Sequence, residues 1–196
     1  MVKVGIIGGS GLDDPKLLSD YREIEVMTKY GKPSSVLTIG KINDVEVVII
    51  ARHARGHKIS PSNINYKANI QALKDLNVTH ILATTACGSL KEEINRGDLV
   101  ILDQFIDFTK HRKSTFFDDF TDGIKHTAMA EPFDEYLRNL LIETSKEFNF
   151  NMHEKGTVIT IEGPRFSTKA ESNMIRNFAD VVNMSIATEC ALANEA

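Results

Sequence analysis

The sequence contains no tryptophan and only two cysteines among its 196 residues. Cys87 and Cys190 lie far apart and show no C-x-x-C spacing. Small disulfide-stabilised domains carry paired cysteines at a much higher density, so this class is excluded. We predict that both side chains are buried thiols. A nucleophilic role for Cys87 would need a paired histidine, which the sequence does not assign.

An excess of positive charge and long apolar runs are missing as well. The formal net charge is −4 and the pI is about 5.9, which disfavours a general nucleic-acid or anionic-membrane binder. No stretch approaches the roughly 18 apolar residues of a membrane span. The opening VKVGII is short and is soon followed by charged residues, unlike a signal peptide. We therefore expect a cytoplasmic protein without nucleic-acid or membrane partners.

What remains is the composition of an ordinary globular domain, 42% hydrophobic and 26% charged. The length favours one domain over residues 1–196. Apolar β-branched runs and helical periodicity predict the elements in chain order. The first part of the chain gives the strand VKVGII, the hairpin SVLTIGKI–VEVVIIAR, the helix NYKANIQALKDL and the strands HILATTACGS and DLVILDQFID. The second part gives the amphipathic helix EPFDEYLRNLLIETSKEF, the strand KGTVITIEG, a helix opened by the capping box Thr168-x-x-Glu171, and the strand DVVNMSI. This alternation predicts an α/β fold with a largely parallel sheet and one hairpin.

Two segments stand outside this alternation. Residues 111–126, HRKSTFFDDFTDGIKH, show no clear period and predict a long loop, a kind of segment that is often functional. Residues 188–196, TECALANEA, resemble the start of a helix, but no glycine or proline terminates it. We therefore expect that the domain formed by residues 1–196 is incomplete at its C-terminus.

The glycine-rich stretch GIIGGSGL follows the first strand. Gly8, Gly9 and Gly11 permit backbone angles that let several N–H groups point at one anion, and Ser10 adds a hydroxyl. The dinucleotide motif G-x-G-x-x-G would need a third glycine where Asp14 stands. The P-loop would need a lysine after its last glycine, and none is present. The stretch is therefore either an anion-binding loop of another kind or a plain turn without a ligand.

Other predicted strands also end in polar residues or glycines. ARHARGH supplies Arg52 and His53, TTACGS supplies hydroxyls and N–H groups, and IEGPRFS places an aromatic ring and a hydroxyl beside a glycine-proline turn. Taken singly, these segments could be a solvated basic loop, ordinary strand residues and a packed corner. His53 and His57 have a metal-like spacing, but no acidic or cysteine partner is near them in sequence, so a metal site is disfavoured. Ligands bind beyond the carboxyl ends of strands in α/β sheets, which favours one shared site.

In combination, GIIGGSGLDDP, ARHARGH, NYKANIQALK, TTACGSL, DQFIDFT, MAEPF, TIEGPRFST and VNMS resemble the trimeric purine nucleoside phosphorylase family. Within that family they are similar to the members that cleave 5′-methylthioadenosine. The resemblance runs in sequence order from Val4 to Ala196. It implies the nucleoside phosphorylase fold, a mixed and largely parallel twisted sheet flanked by helices.

The resemblance also implies roles for particular residues. The implied phosphate-binding residues are Ser10, Arg52, His53, Thr85, Ala86 and Ser185. The implied nucleoside-binding residues are Met184 under the ribose, Phe166 and Ser167 at the purine, and His126 reaching into the 5′ pocket of a neighbouring subunit. The last assignment implies a homotrimer. No metal and no cofactor are implied, because inorganic phosphate is a co-substrate.

The implied activity is a pentosyl transfer to phosphate. It converts 5′-methylthioadenosine into adenine and 5-methylthioribose 1-phosphate, in methionine and purine salvage. Two departures from the family qualify this expectation. The base-binding aspartate belongs to a TDYD motif that the sequence lacks, and Thr188 stands where a proline often precedes the family glutamate. No catalytic residue can therefore be assigned, and we expect little activity from these 196 residues alone.

Two alternatives remain open from the sequence. One is a sibling phosphorylase acting on inosine, guanosine or methylthioinosine, since the missing aspartates largely determine base choice. The other is a non-catalytic fragment that binds a nucleoside or phosphate.

Overall fold

The computed structural model describes residues 2–9, 11–12, 14–121, 123–148 and 150–196. The strands in these ranges are β1 (Lys3–Gly8), β2 (Ser19–Ile24), β3 (Leu37–Ile42), β4 (Val45–Ala51), β5 (His80–Ala83), β6 (Gly88–Ser89), β7 (Leu99–Val100), β8 (Gln104–Phe108), β9 (Met152–His153), β10 (Thr157–Ile161) and β11 (Val181–Asn183). The α-helices are α1 (Tyr66–Asp75), α2 (Glu135–Ser145), α3 (Lys169–Ile175) and α4 (Ile186–Glu195). Short 3-10 helices span Pro15–Leu17 and Pro61–Asn63.

The larger sheet has the strand order β2-β3-β4-β1-β5. β1 lies between β4 and β5 and is parallel to both, so the three strands end at the same edge. β3 and β4 form the predicted hairpin, whose turn places Asn43 at a φ of 51°. Asparagine tolerates this left-handed conformation, which the tight turns of hairpins require.

The second sheet has the order β6-β11-β10-β8, and β7 pairs with β9 in a separate ribbon. The α/β class is therefore as predicted, but the strands form three sheets rather than one. The predicted strand over residues 98–107 is in fact two strands. The N–H of Ile101, just after β7, donates to the carbonyl of His153 in β9. The carboxylate of Asp103, just before β8, instead accepts the N–H of Gly156, which directly precedes β10. The chain thus changes pairing partner between β7 and β8.

The apolar core lies between α1, the larger sheet and α4. Ile70 and Leu73 of α1 pack with Ile7 of β1 and Leu192 of α4. Asn65 caps α1 through a side-chain oxygen that accepts the N–H of Ala68. Helix α1 therefore begins at a fixed residue.

The predicted amphipathic helix α2 does not bury its apolar side. Ile142 is buried, but Leu140 is 50% exposed and Phe148, just beyond the helix, is 55% exposed. Periodicity identified the helix and its polarity, but it carries no information on whether another element covers that side.

Among the described residues, no helix is long and apolar enough to cross a membrane.

The described part of the 111–126 segment is a loop, as predicted, and side-chain contacts attach it to the helices. Lys67 of α1 forms an ion pair with Asp118. Glu195 of α4 accepts hydrogen bonds from the hydroxyl of Thr115 and the backbone N–H of Phe116. The loop therefore lies against the same two helices that enclose the core.

Candidate active site

The carboxyl ends of β4, β1 and β5 lie side by side. The N–H of Arg52 donates to the carbonyl of Gly8 at 3.1 Å, and the N–H of Thr84 donates to the carbonyl of Ile7 at 3.1 Å. A Cβ placed on Gly9 would lie 3.3 Å from the carbonyl oxygen of Thr84 and 3.5 Å from Nη1 of Arg52. Glycine thus lets the loop approach both neighbouring strand ends, as the shared-site hypothesis requires.

An open cavity of about 260 Å³ lies above these strand ends. It is lined by Gly8, Gly9, Gly11, Ala51, His53, Ala54, Gly56 and His57. Ser10, the remaining predicted member of the glycine loop, lies outside the described residues. The small side chains leave backbone accessible at the cavity wall, which suits a small anion.

Arg52 is almost completely buried below this cavity. Its Nε and Nη2 donate to the two carboxylate oxygens of Glu189 at 2.5 and 2.8 Å, and Nη1 donates to the carbonyl of Thr84 at 2.7 Å. Burial acts to lower the pKa of Arg52, but the Glu189 carboxylate outweighs it, so the pKa lies above the ordinary value. The Arg52 guanidinium is therefore charged, and it also holds the β5 end through the carbonyl of Thr84.

His53 is half-buried at the cavity wall. Its Nδ1 lies 2.8 Å from the carbonyl oxygen of Ile59, and its ring stacks on that of His57 at a centroid distance of 4.2 Å. A carbonyl can only accept, so Nδ1 carries the proton and Nε2 is the nitrogen that changes protonation. Burial, together with His57 and Arg52, outweighs the Ile59 carbonyl and lowers the pKa of His53.

The other predicted phosphate-binding residues occupy two places. Thr85 and Ala86 follow β5 beside Gly9, and the Thr85 hydroxyl is 3.3 Å from the carbonyl of Ala86. Ser185 is buried at the N-terminus of α4, where its hydroxyl makes no capping bond to the helix. Glu189, one turn further along α4, pairs with Arg52 and so connects this helix end to the cavity.

The predicted ribose contact, Met184, lies against the turn that follows β10. A Cβ on Gly163 would come within 2.5 Å of the sulfur of Met184, so only glycine fits there. The carbonyl of Met184 also accepts a hydrogen bond from the hydroxyl of Tyr66 at 3.3 Å. The VNMS and IEGPRFS segments, separated in sequence, therefore form one corner.

Phe166 and Ser167 extend from this corner. Phe166 is 84% exposed, which leaves its ring free to stack on a planar base. The hydroxyl of Ser167 lies 2.8 Å from that of Ser172 in α3. The predicted capping box is present, because Thr168 and Glu171 exchange side-chain to backbone hydrogen bonds.

His126 is exposed and lies apart from this corner in the chain. Its ring packs edge-on against Phe120, with centroids 5.8 Å apart, within the 111–126 loop. This position leaves the imidazole available to another molecule, and the predicted contact with a neighbouring subunit stays a prediction.

The prediction of a buried Cys87 is wrong, because Cys87 is exposed, whereas Cys190 is half-buried. The TTACGS segment follows β5 at an open strand end, and the sequence of the segment does not reveal this exposure. Within the described ranges, no group of three His, Cys, Asp or Glu residues is arranged to hold a metal ion.

Sequence reasoning missed the buried polar residues that join the site segments. Glu189 was noted only for the threonine before it, and Arg112 and Tyr66 were not singled out. The Arg112 side chain is 2% exposed and bonded to five acceptors around Tyr66, Glu162 and Thr188. A glutamate within an otherwise apolar helix was the one usable signal, since charges are buried only when paired.

These features coincide with a known family. Residues 3–196 match the phosphorylase superfamily, and the chain belongs to this family. It is 56% identical over 200 residues to S-methyl-5′-thioadenosine phosphorylase of Xenopus tropicalis, covering 100% of this chain and 71% of that protein. It is 52% identical over 195 residues to the protein of the same name from Saccharolobus solfataricus, covering 98% and 72%.

A solved structure gives the same result for the fold. The adenosine/methylthioadenosine phosphorylase of Schistosoma mansoni, a variant in complex with methylthioadenosine, superposes with a TM-score of 0.92 at 44% identity. The match covers 98% of this chain and 74% of that chain. These similarities confirm the resemblance to 5′-methylthioadenosine phosphorylases and the predicted α/β nucleoside phosphorylase fold.

Proposed function

We propose that the protein catalyses the phosphorolysis of 5′-methylthioadenosine to adenine and 5-methylthioribose 1-phosphate. The observation that carries the proposal is the glycine-lined cavity above the Arg52–Glu189 pair, beside the Met184–Gly163 corner. Relatives that share more than half of its residues bear the name of this activity. The protein is accordingly a pentosyltransferase of purine and methionine salvage.

The reaction needs positioning more than it needs a strong base. A phosphate oxygen forms a bond to the anomeric carbon while the bond from that carbon to the purine nitrogen breaks, and the purine leaves with the electron pair and is protonated. Phosphate is already a nucleophile, so no side chain has to remove a proton from it. Alignment of two substrates can supply roughly 7–11 kcal/mol. The phosphate also provides the counter-charge for the cationic ribose of the transition state.

The cavity residues divide this work. Backbone N–H groups of the glycine loop, with His53, Thr85, Ala86 and Ser185, would hold phosphate. Because Glu189 already neutralises Arg52, we assign Arg52 two tasks, fixing the β5 end and offering its remaining N–H groups to phosphate. We include Ser10 in the loop on the strength of the resemblance alone.

The corner would hold the nucleoside. Met184 would lie under the ribose, while Phe166 would stack on the purine and Ser167 would bond to its edge. We keep His126 as the residue offered to the 5′ pocket of a neighbouring subunit. This assignment requires a homotrimer, and analytical ultracentrifugation would test it directly.

The purine must still take up a proton as it leaves. A carboxylic acid at the imidazole nitrogen usually eases this step, and the 196 residues contain no TDYD element to supply it. We therefore propose that these residues release adenine slowly by themselves. The proposal also includes a cytoplasmic location and no cofactor.

The deciding experiment is adenine release from 5′-methylthioadenosine, followed with and without phosphate. The 196-residue chain and a form extended with the TDYD-containing region of a relative are assayed side by side, with inosine as a second substrate. We expect phosphate-dependent release from the extended form and little from the shorter chain. Faster turnover of inosine would favour the sibling phosphorylase, and nucleoside binding without phosphate-dependent product would favour the binding protein. Equal rates for the two forms would overturn the proposed need for the TDYD-containing region.

A further inference from the structure

A second buried arginine lies outside the phosphate cavity. Arg112 belongs to the loop that follows β8, and its side chain is only 2% exposed. Its Nη1 donates to the hydroxyl of Tyr66 at 3.0 Å and to that of Thr188 at 3.4 Å. The guanidinium carbon also lies 5.1 Å from the centre of the Tyr66 ring. A buried guanidinium whose N–H groups are hydrogen-bonded in this way is held in one conformation.

The other face of Arg112 is bound to the end of β10. Its Nη2 donates to the carbonyl of Glu162 at 2.8 Å and to that of Ile161 at 3.4 Å, while Nε donates to the Glu162 carboxylate at 3.3 Å. The same carboxylate accepts the backbone N–H groups of Lys110 and His111. Burial raises the pKa of Glu162, but these donors and the Arg112 charge outweigh it, so the pKa lies below its ordinary value.

These two sets of contacts lead to the two walls of the nucleoside corner. Glu162 directly precedes Gly163, which lies against the sulfur of Met184. Tyr66 reaches the other wall, because its hydroxyl lies 3.3 Å from the carbonyl of Met184 and 3.0 Å from that of Pro61. Burial raises the pKa of the Tyr66 hydroxyl well above its ordinary value, so it keeps the proton that it donates.

The two buried arginines meet on consecutive residues of α4. Arg52 is paired with Glu189 and reaches Thr84 next to the cavity, whereas Arg112 reaches Thr188 and the corner. Thr188 is the position where the family often has proline, which could not accept this hydrogen bond through a side chain. The arrangement gives each half of the site its own arginine.

We propose that Arg112 is a positioning residue for the nucleoside half of the site, acting through Tyr66 and Glu162 on the Met184–Gly163 corner. This inference rests on the proposed function, since it concerns how the same site binds its nucleoside. Arg112 touches neither substrate. Its loss should weaken nucleoside binding and leave phosphate binding nearly unchanged.

The test measures the two affinities separately. Calorimetry gives the Kd of 5′-methylthioadenosine and of inorganic phosphate for the wild-type protein, Arg112→Lys and Arg112→Met. In the extended form, the KM values for the nucleoside and for phosphate provide a second, separate measure of the two effects. We expect the nucleoside Kd to rise about tenfold in both variants, the equivalent of one hydrogen bond, because lysine lacks the planar fork. The phosphate Kd should stay within about twofold, well below the effect of one hydrogen bond.

Two further variants keep the test decisive. Arg138→Met is the matched control, because Arg138 is a mostly buried arginine that donates to the carbonyls of Leu102 and Glu154 away from the corner. Tyr66→Phe keeps the ring and removes the hydroxyl that contacts Met184, Pro61 and Arg112, and it should weaken nucleoside binding even if Arg112→Met does not fold.

Three outcomes are informative. Unchanged nucleoside affinity in Arg112→Lys and Tyr66→Phe, or an equal loss of both affinities, would overturn the inference. A wild-type protein that binds neither compound would instead contradict the proposed function. A loss of nucleoside affinity alone would support the inference.

Discussion

The proposed phosphate half and the proposed nucleoside half of the candidate site are built differently. The phosphate half consists of strand ends tied together by backbone hydrogen bonds, with the buried pair Arg52–Glu189 beneath a glycine-lined cavity. The nucleoside half places the 84% exposed ring of Phe166 on a corner held by Arg112 and Tyr66. Backbone therefore forms much of the wall of the phosphate half, whereas the nucleoside half presents a side chain to solvent.

This difference follows from what each ligand demands. Phosphate is small, and fixed N–H groups on a rigid sheet edge can surround it. A nucleoside is larger and partly apolar, so it needs aromatic surface and shape that short strand ends do not provide. The first half should therefore depend on buried charge and protonation, and the second on exposed aromatic area.

The strongest test of the comparison removes the buried pair. Glu189→Leu leaves the Arg52 guanidinium buried without its carboxylate, and we expect the free energy of unfolding to fall by about 3–5 kcal/mol. Urea denaturation followed by circular dichroism measures the loss. Glu143→Gln is the control, since it breaks the exposed Lys146–Glu143 pair and should cost less than about 1 kcal/mol. Equal losses in the two variants would show that the Arg52 pair is no more important than a surface pair.

The exposed aromatic ring gives the next largest effect. Phe166→Ala should weaken 5′-methylthioadenosine binding by about 1–3 kcal/mol, the usual worth of a base stacked on an aromatic ring. Stability and phosphate affinity should change little, because the ring is mostly in solvent. Phe178→Ala, which removes another exposed ring 68% in solvent, serves as the control in the same titration. A matching loss in both variants would argue against stacking by Phe166.

Protonation of His53 should produce the smallest effect, and only in the phosphate half. Sulfate, which remains a dianion at neutral and mildly acidic pH, is used as the probe. Because the pKa of His53 is lowered, the ring is neutral at pH 7 and becomes cationic only as the pH falls below its ordinary range. Sulfate affinity should therefore rise on acidification, by at most about tenfold per pH unit for one proton.

Two substitutions assign this pH dependence. His53→Gln should flatten the curve, whereas His153→Gln, which alters the separate His153–Asp98 pair, should leave it intact. A curve that persists in His53→Gln and disappears in His57→Gln would assign the proton to the stacked neighbour instead.

The effect of the same proton on folding stability has the opposite sign. The unfolded state binds the His53 proton more strongly, so the histidine lowers the free energy of unfolding as the pH falls through its ordinary pKa.

Local sequence patterns predicted most of the elements but not how they pair. The β-branched runs and the Asn43 turn identified β1 and the β3–β4 hairpin, and the Thr168 box identified the start of α3. β2 was missed, because its residues are mostly exposed and lack an apolar alternation. The division into three sheets depends on pairing partners distant in sequence, which no local pattern encodes.

The candidate site shows the same limit. Strand ends rich in glycine and polar residues predicted that the glycine loop, Arg52 and the TTACGS segment would meet, because parallel strands end at one edge. Arg112 could not be found this way. It belongs to a loop without periodicity, and its hydrogen-bond acceptors lie between 46 and 76 residues away along the chain.

The Arg52–Glu189 pair has a consequence for synthesis on the ribosome. Its two residues are separated by 137 positions, so the arginine is made long before its partner. At about 5–20 residues per second, the delay is roughly 7–27 s. Throughout that interval the guanidinium lacks its carboxylate, and only water and the carbonyl of Thr84 can accept its hydrogen bonds. The sheet edge at Arg52 therefore stays hydrated until α4 has left the exit tunnel and Glu189 can pair with Arg52.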